Sequence, residues 1–297
     1  MAGVCLTIDI RDRTGGGSPP GEAASLIPWA KRVRSDLSEC GRLLDELGVA
    51  ATFFVTGQLA YEAPDALSEL AARGHEVGLL GLEDLRLESI RPTEFRARIT
   101  ASQDRLRQAG LPEAHSFRAP GWSLTRRTLW AYEALGDAGI RYSCSSVPHT
   151  TLGDRRALPE PHCVRTASGD VVELPLPTVR IFWESVPFTT GRGLTRLPFW
   201  LLETCASHRV QGAHPTVFSL QSWELGTERG GWLERARRKR LRKNLRDLLA
   251  DREVVPVRDL LRDVPSPLPI RLLEDQARQK TFPMLEGAEE VPLTAYN

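Results

Sequence analysis

GVCLTIDI, residues 3–10, is a short apolar run with β-branched residues that ends in charge, the pattern of a buried parallel strand running into a functional loop. Downstream, residues 33–47 place Leu37, Leu43, Leu44 and Leu47 on one helical side and stop near Gly48, after which VAATFFV, residues 49–55, reads as a second strand. The alternation repeats through helix 64–73, strand 75–80, helix 93–108, strand 115–117, helix 125–138 and strand 140–143. Strands alternating with helices predict an α/β protein with a parallel sheet and helical crossovers, and an open doubly wound sheet or a closed barrel satisfies that pattern equally.

The intervening and later segments are less regular. Residues 14–21 read as a Gly/Ser/Pro-rich loop, 151–167 as an irregular loop, 171–182 as a resumed strand and TVFSLQSWEL, residues 216–225, as the last strand. A strongly basic helix, 232–250, leads to VVPVRDLL at residues 254–261. Its leucines, Leu233, Leu241, Leu245, Leu248 and Leu249, offer a packing face, which favours a solvated face for the arginines, with a site for an anionic polymer or lipid headgroups as the alternative. The tail, 264–297, is rich in Pro and charge and is expected to be a loosely attached extension of a domain spanning 1–263.

With 297 residues and 41% apolar content the chain can bury a large core, while 39 basic residues against 38 acidic ones select no charged partner, so no nucleic acid is expected. The first residues lack a basic region, a sustained apolar stretch and a small-residue cleavage site, and LPFWLL at residues 197–202 is far too short to cross a bilayer. A soluble, cytoplasmic protein is the expectation. Five scattered cysteines with no CxxC pair argue against a disulfide framework, and the six histidines contain no pair at structural-zinc spacing.

Five stretches carry more specific information: LTIDIRD at residues 6–12, ATFFVTG at 51–57, GHEVGLLGLED at 74–84, FRAPGW at 117–122 and SLQSWEL at 219–225. In that order they resemble the polysaccharide deacetylases of the NodB-homology type, carbohydrate esterase family 4. LTIDIRD, together with GRGLTRLPFWLLE at 191–203, is similar to the subfamily found with exopolysaccharide gene clusters. The resemblance implies a distorted (β/α)7 barrel. It also implies a hydrolytic centre in which a divalent metal polarises an acetamide carbonyl and activates water, beside a carboxylate general base.

Placed on that pattern, the chain keeps Asp9 at the position of the base and Arg118 at that of the arginine which orients it. The metal-ligand positions hold Arg11 (or Ile10, in the other register), Leu80 and Asp84, and the general-acid histidine is replaced by Gln221. Leucine ligates no metal and glutamine delivers no proton. No metal or other cofactor is expected, and Arg11 is expected to pair with Asp84 where metal charge would stand. Trp122, Trp223 and Glu224 are retained and imply, with Arg11 and Asp84, a substrate groove. Cys144 in YSCSSVP, residues 142–148, reads as a small buried thiol rather than a nucleophile. His75 reads as a structural histidine and His214 as a turn or strand-start residue too far upstream to replace the lost acid.

Three functions follow as expectations. The first is a deacetylase-like pseudoenzyme of exopolysaccharide metabolism, binding carbohydrate or another small amide-bearing ligand, with polysaccharide-assembly proteins as partners. The second is a metal-independent hydrolase of a C–N bond using Asp9 with Arg11 and Arg118. The least favoured is an ordinary metal-dependent deacetylase.

Overall fold

The computed structural model describes residues 3–11, 29–212, 215–226, 231–260 and 271–272. Asp12, the loop at 14–21, His214 and nearly all of the 264–297 tail lie outside the described residues. In chain order the elements are β1 (Val4–Asp9), α1 (Trp29–Leu47), β2 (Thr52–Thr56), α2 (Gly57–Glu62), α3 (Pro64–Ala72), β3 (Glu76–Gly81), α4 (Pro92–Gln108), β4 (Ser116–Phe117), α5 (Ala131–Asp137) and β5 (Tyr142–Ser143). They continue with β6 (His162–Thr166), β7 (Gly169–Glu173), β8 (Thr178–Ile181), β9 (Glu184–Pro187), α6 (Gly191–Arg196), α7 (Phe199–Gln211), β10 (Thr216–Gln221), α8 (Ser222–Leu225), α9 (Trp232–Leu249) and β11 (Arg271–Leu272).

Among the described residues one nine-stranded sheet runs in the order β10, β1, β2, β3, β4, β5, β7, β6, β11, parallel throughout except for the β6–β7 pair. It curls into a partial barrel with helices outside, the distorted barrel expected. Beyond β10 the ladder continues only as a single bridge from Thr190 to Ser219.

Strand alternation sorts the sheet's two faces. Leu6, Ile8, Phe53, Val55, Val77 and Leu79 pack outward against Leu37, Leu44, Leu67, Ile99, Leu106 and Leu245 of the helices. The opposite set, Cys5, Phe54, Leu80, Cys144 and Val217, forms a separate cluster in the lumen with Val257 and Leu260. Each fully buried aliphatic or aromatic side chain contributes about 1.5–3 kcal/mol, so two-sided burial of β1 to β3 anchors the fold. Gly78 is needed for this lumen: a Cβ there would lie 2.9 Å from the Phe54 ring and 3.0 Å from the Ser116 carbonyl oxygen.

Several expected segments are corrected. Residues 151–167 are not all irregular, because His162–Thr166 pairs as β6 with β7 in a hairpin that turns at Ala167–Ser168 just before Gly169, whose φ is +129°. The run 171–182 is not one strand: Pro175 and Pro177 interrupt it and separate β7 from β8. The run 216–225 ends as a strand at Gln221, where a capping box between Gln221 and Glu224 starts α8. Residues 125–138 hold helix only over Ala131–Asp137. The basic helix does pack through Leu241, Leu245, Leu248 and Leu249, but Leu233 is exposed.

Candidate active site

The parallel strands bring their C-terminal ends to one mouth. β1 is in register with β10 and β2 so that Asp9 lies opposite Gln221 on one side and Phe54 on the other. Arg118 follows β4 directly, its N–H bonded to the Leu79 carbonyl at 2.9 Å. Asp9 and Arg118, 109 residues apart, therefore meet by topology.

Arg118 is 1% exposed and every part of its guanidinium is used. Nη1 donates to Asp9 Oδ1 at 3.1 Å and also to Ser219 Oγ, Nη2 donates to Thr7 Oγ1 at 2.8 Å, and Nε donates to the Cys144 carbonyl at 3.0 Å. Its faces are sandwiched, with Cζ 4.6 Å from the Phe54 ring centre and 4.7 Å from that of Trp122. Trp122 holds φ +57°, a conformation costly for a bulky residue, so packing over Arg118 fixes it. A buried ion pair is stable only with this full set of partners.

The other Asp9 oxygen, Oδ2, accepts from Gln221 Nε2 at 3.1 Å. Gln221 thus binds the carboxylate as a neutral donor. Its backbone N–H is received by Glu224 Oε2 at 2.9 Å. Burial pushes the Glu224 carboxyl up to about 7, opposed by the Gln221 N–H and reinforced by nearby Asp9. Gly191 makes room for that carboxyl: a Cβ would sit 2.2 Å from Glu224 Oε1. Trp223 is half-buried on α8.

Arg11 follows Asp9 by two residues and so shares its lumen-side phase, whereas Ile10 is buried in the outer core. The residue beside the mouth is thus Arg11. Its Nη2 donates to Asp84 Oδ1 in an ion pair whose side chains are 20% and 18% exposed. Burial raises the Asp84 carboxyl despite the opposing Arg11 charge, with Asp9 adding a further upward push. Arg11 Nε is buried without an acceptor among the described residues. Leu80 is fully buried in the lumen cluster.

Such a donor set does not fit a resident divalent metal. The described residues contain no group of three His, Cys, Asp or Glu that could hold one, and the carboxylates of Asp9 and Asp84 each face an arginine.

Cys144 is buried and its thiol is pushed up to about 12, mainly by desolvation, with Arg118 pulling the other way, so it is no nucleophile near neutral pH. His75 packs on Phe53 and its Nδ1 accepts from the Ala51 N–H at 3.3 Å, far from the mouth in phase and position. Sequence reasoning missed Thr7, Phe54, Ser219 and Gly191. The alternation Thr7–Asp9 on β1 and Ser219–Gln221 on β10 is the signal that could have found two of them.

The class these features define is a partial (β/α) barrel with an Asp–Arg centre at the strand ends. Residues 34–140 match the polysaccharide deacetylase family model and residues 142–260 a domain of unknown function (DUF3473). No curated protein sequence matches the chain. Similar solved structures include a candidate polysaccharide deacetylase from Mycobacterium smegmatis, 18% identical with TM-score 0.59 and covering 85% of each chain. Another, from Pseudomonas aeruginosa PAO1, is 12% identical with TM-score 0.57, covering 89% of this chain and 93% of that one. Puue allantoinase is 12% identical with TM-score 0.55, covering 87% and 89%. At these identities the structures show a shared fold, and the polysaccharide deacetylase family match is confined to residues 34–140.

Proposed function

We propose that this polysaccharide-deacetylase-like chain binds carbohydrate at the barrel mouth without metal-dependent hydrolysis, as a pseudoenzyme of exopolysaccharide metabolism. One observation carries the reading: the Arg11–Asp84 ion pair stands beside Asp9 where the superfamily pattern places metal ligands, with apolar Leu80 beneath. A guanidinium repels a divalent cation and satisfies the Asp84 carboxylate. Around it, Trp122, Trp223 and the outer edge of Gln221 supply the stacking and amide hydrogen bonds that sugars accept. Titration calorimetry with chitopentaose, alongside a hydrolysis assay, tests the reading. Binding without turnover is expected, and absence of binding contradicts it.

A second reading is metal-independent C–N hydrolysis, in which Asp9 takes a proton from water beside the cationic Arg11 and Arg118. The leaving nitrogen still needs a proton, and since Gln221 has none to give, Asp9 would have to return the one it takes from water. Binding is therefore the preferred reading. An Asp9→Asn variant distinguishes them, since it abolishes turnover only if turnover exists.

A further inference from the structure

We infer that the β8–β9 hairpin is an aromatic platform at the rim that stacks on a neutral sugar strand entering the mouth. This deepens the carbohydrate-binding reading and rests on it.

Topology places the hairpin. β7 is parallel to β5, so its end at Glu173 lies at the mouth, and the next residues continue there: the Leu174 N–H bonds the Ser143 carbonyl at 2.7 Å and the Leu176 N–H the Ser146 carbonyl at 2.9 Å. After β9 the chain lands on β10, where the Ser219 N–H donates to the Thr189 carbonyl at 3.0 Å. Ser219 is the residue whose hydroxyl receives Arg118. The two feet of the hairpin thus stand on either side of the Arg118 centre. Four-residue legs raise its tip about 13 Å from them.

The tip is Phe182–Trp183. Both side chains are 84% exposed, and their ring centres lie 5.7 Å apart. Phe182 has φ +56°, the left-handed conformation that two-residue hairpin turns normally assign to Gly or Asn. Folding gains nothing from either feature, since exposed rings bury no area and the backbone is strained. Paired strain and exposure at a rim point to ligand contact. The flanks, Arg180 and Glu184, cancel in charge, and Glu184 lies 3.6 Å from His149 Nε2 on the same rim. A neutral ligand with apolar C–H faces suits this tip, whereas an anionic lipid surface would call for a basic surround.

Chitopentaose titrated into the full chain tests the inference. The Phe182→Ala/Trp183→Ala double variant should keep its melting temperature and bind about tenfold more weakly. Phe182→Gly should melt higher than the parent while also binding more weakly, a combination that a purely structural turn would not give. Unchanged affinity in both variants overturns the platform and leaves the proposed function standing. No binding by the parent chain overturns both. Loss of adhesion to phosphatidylcholine/phosphatidylserine vesicles with intact sugar affinity would reassign the tip to a membrane and overturn it.

Discussion

Asp9 at the mouth and Glu76 at the base face the same lumen and are equally buried, each 3% exposed, yet they are held by opposite means. Glu76 is satisfied by neutral donors: Thr52 Oγ1 at 2.7 Å, Ser116 Oγ at 2.5 Å and the Arg258 backbone N–H at 3.0 Å. The last of these draws the segment after α9 across the lumen, where Val257 and Leu260 cover the base. Asp9 is met by a cation and an amide, and what lies outside it is a half-open ion pair rather than a cover. Burial alone does not mark a functional carboxylate. A closed shell of neutral donors is what a structural plug needs, while an arginine-backed carboxylate under an incomplete shell is what a ligand site needs.

Cutting the cation away should have the largest effect. Arg118→Met leaves Asp9 buried and uncompensated and should cost about 3–5 kcal/mol in urea unfolding, with sugar binding lost as well. Glu76→Ala leaves two hydroxyls and a backbone N–H without their acceptor, so about 2–3 kcal/mol should be lost while sugar affinity of the folded protein stays unchanged. If Glu76→Ala weakened binding as much as stability, the division between plug and site would fail.

Subtler changes sharpen the mouth. Glu224 binds its proton more tightly folded than unfolded, so between the ordinary carboxylate range and about 7 the folded state holds more protons and stability falls as pH rises. Glu224→Gln keeps the capping geometry and removes that charge. Its melting temperature should match the parent near pH 5 and exceed it at pH 8. The smallest effect concerns thiols: in the native state half-exposed Cys205 should react with iodoacetamide before buried Cys144, and a fast-reacting Cys144 would contradict its placement under Arg118.

The βα alternation was legible because parallel strands buried on both faces leave unbroken apolar runs, as in residues 3–10 and 49–55. The later half was not. β6 is only five residues long, β8 is short and half-exposed, and α6 and α7 carry apolar residues too mixed in phase to announce a helical face. At the site, the pairs Asp9–Arg118 and Arg11–Asp84 were anticipated through the motifs, but the shell that makes them stable was not. Thr7, Phe54 and Ser219 are common residue types whose importance comes only from register, and Gly191 matters because of what sits against it. The sequence places Phe182 at the end of a strand, since nothing local in an Ile-Phe-Trp run announces a left-handed turn.

The central claim is that an ion pair holds the place of a metal. Zinc stoichiometry, measured by mass spectrometry after incubation with zinc and desalting, tests it directly, with an Arg11→Asp/Leu80→His/Asp84→His variant as the control that rebuilds a ligand set. The parent chain should retain essentially none and the variant about one ion per chain. A parent chain that carries one zinc ion, and whose melting temperature drops on chelation, would contradict the account.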